Sequence, residues 1–219
     1  MSLLSTGSTK IDALLGGGVE DAVITLLYGE GGAGKTNLCL MISKQAVLSG
    51  TRVVYIDTEG VSSERLRQIS GNAAAKIGKG ILFSEPYSLQ EQHELISKGV
   101  SLIETGRGIG VLIVDSLTVY YRQVLDDANE RRELAEQLNI LMTAARKYRI
   151  PVVVTSQVYT DINRNTVEPL GGHVLQHAAK TVLKLERLPD GKRRVTLMKH
   201  RHMRERTSVD FQITETGIE

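Results

Sequence analysis

Val23-Ile24-Thr25-Leu26-Leu27-Tyr28 runs directly into Gly29-Glu30-Gly31-Gly32-Ala33-Gly34-Lys35-Thr36, and this junction decides the fold. The first six residues form a short, largely apolar run, as expected of a strand buried on both faces. The next eight fit the spacing G-x-x-x-x-G-K-[ST]. Leu38, Met41 and Ile42 then recur at helical spacing, so Lys35 to about Ser49 reads as a helix. A glycine-rich loop between strand and helix lets successive backbone N–H groups converge on a phosphate, and the helix N-terminus adds partial positive charge. The competing reading is an ordinary Gly-rich turn, and the flanking strand and helix weigh against it. Gly29, Glu30, Gly31, Gly32, Ala33, Gly34, Lys35, Thr36 and Asn37 are thus expected to contact a nucleotide. Lys35 would reach its β and γ phosphates, and the Thr36 hydroxyl would ligate Mg²⁺.

Outward from that junction, strands and helices alternate. Ile11, Leu14 and Leu15 follow the capping residues Thr6 and Ser8 on a short helix that Gly16-Gly17-Gly18 ends. Downstream come a strand over Arg52 to Asp57, a polar helix near Ser63 to Ile77 and a short strand around Ile81 to Phe83. Ser88-Leu89-Gln90-Glu91 fits a capping box that opens the next helix. Val111 to Asp115 is a strand, Glu130 to Tyr148 a long helix and Pro151 to Ser156 a β-branched strand. This order implies an α/β fold with a mostly parallel central sheet covered by helices on both faces. After Val158 a polar loop extends to Gly172. Thr181 to Arg187 and Arg193 to Lys199 form a hairpin through Pro189-Asp190-Gly191, and a last strand covers Ser208 to Ile213. The sheet would end in an antiparallel C-terminal extension. No repeat, low-complexity tract or Pro/Ser-rich linker marks a boundary, so residues 1–219 read as a single domain.

Composition removes several alternatives. With 41% hydrophobic and 24% charged residues, the chain has the balance of a folded soluble protein and not of a disordered one. No apolar stretch approaches the ~18 residues of a membrane span, and Met1 to Lys10 lacks a secretory pattern, so a cytoplasmic protein is expected. Cys39 is the only cysteine, which excludes an internal disulfide and a thiolate-rich zinc site. It reads as a small buried side chain on a helix. Net charge is only +2, but Arg187 to Arg206 holds eight Lys/Arg against Asp190 and Glu205, so the rest of the chain is acidic.

A Mg²⁺-dependent phosphate site needs a carboxylate at the end of a neighbouring strand, and Val111-Leu112-Ile113-Val114-Asp115-Ser116 supplies Asp115. The alternative is a helix cap or a plain loop acid. Hydrolysis also needs a group that orients or deprotonates water. Glu59, in Asp57-Thr58-Glu59, is the candidate base; Asp57 is a second acid that could share the work.

Thr6-Gly7-Ser8, the phosphate loop, Asp57-Thr58-Glu59-Gly60, Asp115-Ser116, Thr155-Ser156-Gln157, Gly171-Gly172-His173 and Lys199-His200-Arg201 occur in order over nearly the whole chain. This set resembles the RecA-like recombinase ATPase core, most closely the archaeal RadB family of recombinase paralogues. KaiC-like ATPases share several of the marks. The resemblance implies a P-loop NTPase that binds ATP and Mg²⁺, hydrolyses ATP slowly and serves DNA recombination and repair. Gln157 would sense the γ-phosphate and pass its state to the loop Tyr159 to Gly172, where Asn163, Arg164 and Asn165 would hold single-stranded DNA. The bland reading of Gln157 is a satisfied strand-end amide. Tyr120, Tyr121 and Arg122 after Asp115 offer a second DNA contact by stacking and charge, or else core and surface packing.

Lys199 and Arg201 align with cations that the family projects onto ATP bound by a neighbouring subunit, which implies a homo-oligomer. Strand alternation would put both on one face. Basic protection of a sheet edge and DNA backbone binding are the other readings of these charges. Expected partners are recombination proteins such as the main recombinase or a junction resolvase. The chain departs from full recombinases in starting at the core, with no N-terminal helical DNA-binding domain, and in lacking a Phe-x-x-Ala tether. Its aromatic content of only 4% implies DNA binding that rests on charge and falls with salt. Two alternatives remain: a KaiC-like regulatory ATPase acting on protein partners, and a nucleotide-switched interaction module without useful turnover.

Overall fold

The computed structural model describes residues 2–121, 128–161 and 166–219. A two-residue strand β1 (Leu3–Leu4), helix α1 (Thr9–Leu15) and strand β2 (Val19–Glu20) precede β3 (Ile24–Gly29). The chain then alternates through α2 (Lys35–Leu48), β4 (Arg52–Asp57), α3 (Ser63–Ser70), α4 (Ala74–Gly80), β5 (Ile81–Ser84), α5 (Leu89–Glu104), β6 (Ile109–Asp115), α6 (Ala128–Tyr148) and β7 (Val152–Ser156). Strands β8 (Val158–Asp161) and β9 (Thr166–Pro169) follow, then α7 (Gly172–Ala178), β10 (Thr181–Arg187) and β11 (Arg193–Lys199). β12 (Ser208–Phe211), β13 (Ile213–Thr214) and β14 (Gly217–Ile218) complete it.

The main sheet has the order β12-β11-β10-β3-β7-β6-β4-β5. Neighbours from β10 to β5 run parallel, whereas β11 and β12 add antiparallel at one side. The expected fold class is therefore the observed one. All of β3 is buried because the sheet is covered on both faces. Alternation sends Leu27 into one core with α1 and α2, and Leu26 into the other with α5, α6 and α7. Each such fully buried leucine contributes about 1.5–3 kcal/mol.

The topology places the site. From β3 the chain crosses to β4, leaving a gap that β7 and β6 later fill. The carboxyl ends of β3, β7, β6 and β4 therefore lie side by side, and they carry the glycine-rich loop, Gln157, Asp115 and Glu59 respectively. A crevice outside the carboxyl ends of strands whose order reverses is the usual ligand position of open α/β sheets.

Several local expectations are corrected. The helix expected over Ser63 to Ile77 breaks into α3, a 3₁₀ turn at Gly71–Ala73 and α4, since Gly71 at φ 56° ends the first piece. The polar loop expected after Val158 contains paired strands, β8 against β9, followed by the unforeseen α7. The strand expected over Ser208 to Ile213 is interrupted at Gln212, and Ile213 pairs with Ile218 instead. Ser8 is the N-cap of α1 but makes no side-chain cap; the Asp12 carboxylate instead reaches back and fixes the preceding segment, accepting from Thr6 N at 2.7 Å and Thr6 Oγ1 at 2.6 Å. Ser88 does cap α5, accepting from Glu91 N at 3.1 Å, while Glu91 reaches back to Tyr87 N rather than to Ser88.

Candidate functional site

The loop after β3 is shaped by its glycines. A Cβ at Gly29 would stand 2.1 Å from Leu185 O on β10, so sheet packing alone demands glycine there. Gly32 and Gly34 have φ of 74° and 106°, the left-handed region that side chains resist. The Lys35 ammonium spans the loop, donating to Gly29 O at 2.8 Å and Glu30 O at 3.1 Å. Burial lowers its pKa, while the charges of Glu59, Asp115 and Glu30 act the other way. Both candidate acids therefore favour the charged form of this ammonium. Ala33 is buried, and Thr36 and Asn37 are half-buried on the first turn of α2. Asn37 Oδ1 accepts from Arg65 Nε at 2.6 Å, and Arg65 Nη1 donates to Glu215 O at 3.1 Å. Arg65 thus ties the phosphate-loop helix to the turn between β13 and β14. Arg193 Nε donates to Gly32 O at 3.3 Å from the other side.

Asp115 is 1% exposed and ends β6. Tyr55 OH donates to its Oδ2 at 2.7 Å and Thr155 Oγ1 to its Oδ1 at 2.6 Å. Burial pushes the carboxyl above its usual range, and hydrogen bonds from Thr155, Tyr55 and Thr36 counter this. These direct partners are neutral hydroxyls, so the chemistry of the set suits a hard cation beside Thr36.

The two acids at the end of β4, Asp57 and Glu59, separate cleanly. Asp57 is 3% exposed and accepts from Glu59 N at 3.1 Å, from Gly60 N at 2.9 Å and from Val61 N. With its oxygens holding a turn, it is a backbone clamp and not a water-activating group. Glu59 is exposed, and its Oε1 accepts from Gln157 Nε2 at 2.9 Å. Thr58 braces the same turn by donating to Ser116 O at 2.9 Å and accepting from Ser116 N at 2.8 Å. We expect Asp57→Ala to lower unfolding free energy by about 1.5–3 kcal/mol, the worth of hydrogen bonds to a charged group. A chemical denaturation curve checks it, and an unmoved midpoint would remove the clamp role.

The residues expected at DNA divide differently. Tyr121 is 7% exposed and packs in the core with Leu134 and Leu175, so its ring offers no stacking face. This corrects its assignment as a DNA contact. Tyr120 is half-buried, its hydroxyl donating to Pro86 O. Arg122, Asn163, Arg164 and Asn165 lie outside the described residues. Lys199 Nζ donates to Gln176 O at 2.9 Å and Ala179 O at 2.7 Å, closing the end of α7. β11 stops at Lys199, so strand alternation does not extend to Arg201, which is exposed. Part of the basic stretch is balanced within the chain: Arg194 pairs with Asp210 at 2.7 Å and Lys192 with Asp190 at 3.3 Å.

Sequence patterns do not reveal Tyr55 and Arg65 as supporting residues, and they place Thr58 and Thr155 in motifs without showing what their hydroxyls hold. Tyr55 and Asp115 are 60 positions apart, and Arg65 and Glu215 are 150 apart. Only neighbouring-strand register, Tyr55 opposite Ile113 and Leu27 opposite Thr155, brings the hydroxyls near the acid. A separate cluster of His93, Glu133 and Glu136, with ligating atoms within 4.8 Å of one another, is internally paired through His93 to Glu133 and Arg132 to Glu136.

Known proteins are similar to this chain over nearly its full length. A family model described as Rad51 matches residues 1–219. The chain is 43% identical over 219 residues to the DNA repair and recombination protein RadB of Methanococcoides burtonii, covering 98% of this chain and 96% of that one. It is 42% identical over 221 residues to the protein of the same name from Archaeoglobus fulgidus, covering 99% and 98%. A solved structure described as the crystal structure of the RadB recombinase superposes with a TM-score of 0.86 at 36% identity, covering 99% of this chain and 98% of that one.

Proposed function

The chain belongs to the Rad51 family, and from that premise we propose that it is a RadB-type DNA repair and recombination protein built as one ATPase core, with ATP, Mg²⁺ and single-stranded DNA as its ligands. The observation that carries this reading is the 2.9 Å hydrogen bond from Gln157 to Glu59, made where the ends of β3, β4, β6 and β7 converge and where Glu59 and Asp115 both act on Lys35. Backbone amides of residues 31–36 and Lys35 hold the triphosphate. Thr36 and Asp115 would hold Mg²⁺, which when bound neutralises charge on the phosphates. Glu59, held by the Asp57 turn, aligns water for in-line attack and takes its proton. Gln157 lies against Glu59 and heads the segment that leads into β8, so loss of the γ-phosphate changes what its amide can bond.

DNA binding in this reading rests on Arg164 with Asn163 and Asn165, on Tyr120 and Arg122, and on the basic stretch from Arg187 to Arg206. Arg201 is the cation available for ATP on a neighbouring subunit; Lys199 would first have to leave the α7 carbonyls. Recombination proteins such as the main recombinase or a junction resolvase are the expected protein partners. No described helix is long and apolar enough to cross a membrane.

The test is to measure ATP hydrolysis and single-stranded DNA binding on one preparation across a salt series. Affinity should fall linearly on a log–log plot against salt, and Arg164→Ala should reduce both affinity and the slope, the latter by about 0.7 for each phosphate that the arginine neutralises. An unchanged slope would exclude Arg164 from the interface. ATP hydrolysis without any salt-dependent DNA binding would favour a regulatory ATPase that acts on protein partners.

A further inference from the structure

Near the amino ends of β3 and β10, at the opposite end of the sheet from the nucleotide crevice, four buried polar atoms have no hydrogen-bond partner among the described residues. They are Glu20 Oε2, Thr25 Oγ1, Thr181 Oγ1 and His200 Nε2. Glu20 is 4%, Thr25 0% and Thr181 1% exposed, and His200 is half-buried. Register brings the four together. Thr181 lies opposite Thr25, and both share the face of Leu27 and Leu183, which pack with α1 and α2. Val182 lies opposite Lys199, so His200 follows beside Thr181. A register shift between Val182 and Leu183 lets Met198 and Lys199 both face the α7 side, which returns His200 to the α1 side, within the field of the Glu20 carboxylate. Buried polar groups are normally paired, so four orphans gathered in this way call for a shared partner.

The other ring nitrogen of His200 is already occupied. Nδ1 accepts from His202 N and from Met203 N, both at 3.1 Å, so it carries no proton and the ring proton sits on Nε2. Burial lowers the His200 pKa, with Glu20 opposing and His202 and Arg201 assisting, which keeps the ring neutral. The turn closed by Nδ1 contains Arg201, whose side chain is exposed. On either side of that turn the chain is fixed. Lys199 is held by the carbonyls of α7, and Met203 packs over Gly16 at the end of α1. Leu197 bonds Thr207 O at 2.9 Å and accepts from Arg206 N at 2.6 Å, closing the loop at its base. A donor at Nε2, an acceptor at Glu20 and two hydroxyls that can do either are the complement an internal water requires.

We propose that His200 is the positioning residue of the turn that presents Arg201, held in place by an internal water that joins its Nε2–H to the Glu20 carboxylate and to the Thr25 and Thr181 hydroxyls. This rests on the reading of Arg201 as the cation for ATP on a neighbouring subunit. One ring then does two things: Nδ1 shapes the turn, and Nε2–H ties the turn to the base of the sheet. Without it Arg201 keeps its charge and loses its direction, so the loss falls on turnover and not on ATP binding by the subunit's own loop. Packing alone would not need the ring proton on one particular nitrogen.

The experiment reads ring, turn and turnover in turn. NMR of the imidazole nitrogens should show His200 protonated on Nε2, with a proton slow to exchange. Glu20→Leu should speed that exchange by about twofold to tenfold, the worth of one hydrogen bond, and Glu20→Gln, which keeps an acceptor, should not. His200→Gln offers no acceptor in place of Nδ1 and should speed amide exchange at His202 and Met203 by a similar factor of about twofold to tenfold; His200→Asn, whose side-chain oxygen replaces Nδ1, should keep them protected. ATP hydrolysis is measured across protein concentration beside Arg201→Ala. The part of kcat that rises with concentration should fall in His200→Gln toward the Arg201→Ala level at unchanged KM, and His200→Asn should recover most of it. Should His200→Gln be too unstable, the wild-type ring and the Glu20 pair decide. A ring protonated on Nδ1, a ring proton indifferent to Glu20→Leu, or turn amides that exchange alike in both His200 variants overturns the proposal. So does full turnover in His200→Gln where Arg201→Ala is impaired, and the reading of Arg201 then stands. A turnover that does not rise with concentration, or an Arg201→Ala that matches the wild type, sinks both.

Discussion

Lys35→Ala should weaken ATP binding by about tenfold to a hundredfold, as expected when one charge-assisted hydrogen bond of roughly 1.5–3 kcal/mol is removed. The reason lies in what the ammonium already does. It is 6% exposed and satisfied by Gly29 O and Glu30 O, so it is held across the loop before any phosphate arrives. Burial lowers its pKa, and the three acids Glu59, Asp115 and Glu30 favour the charged form. A triphosphate adds further negative charge and strengthens that preference. Calorimetric titration with an ATP analogue measures the effect, and an unaltered affinity would remove Lys35 from the phosphate site.

Glu59→Gln should slow hydrolysis by about 10²–10⁴-fold, the usual worth of a positioned general base, while leaving ATP affinity close to that of the wild type. This substitution separates two roles that Glu59 combines. A glutamine at 59 still offers a carbonyl oxygen to Gln157 Nε2, so the 2.9 Å link has a replacement, but the amide cannot take a proton from water. Asp57 cannot stand in, because its carboxylate is held by the amides of Glu59, Gly60 and Val61. Single-turnover hydrolysis is the measurement; an undiminished rate would move the base elsewhere, and ATP-dependent partner binding that survives the change would favour a switch without useful turnover.

Sequence is most legible where the pattern is local. Lys35 and Thr36 can be read because a strand, a glycine loop and a helix are contiguous, and Asp115 because it ends an apolar run. β10 and β11 match their expected bounds to the residue, since their β-branched and apolar positions flank a Pro-Asp-Gly turn. What escapes depends on which strands become neighbours. The role of Asp57 as a clamp follows from a turn whose geometry no spacing rule reveals. Thr118 meets Ser156 across 38 positions, and it does so only because β6 and β7 pair in register. Tyr120-Tyr121 reads either as stacking platforms or as core and surface packing, and only the fold decides: Tyr121 lies in the core and Tyr120 is half-buried.

A crystal structure of the chain grown with Mg²⁺ and a nonhydrolysable ATP analogue tests the nucleotide site most directly. The triphosphate should lie against the amides of residues 31–36, with Lys35 drawn off Gly29 O and Glu30 O onto the phosphates and the metal between Thr36 and Asp115. An analogue seated elsewhere, with the Lys35 ammonium still on those two carbonyls, would contradict the assignment of this loop as the phosphate site.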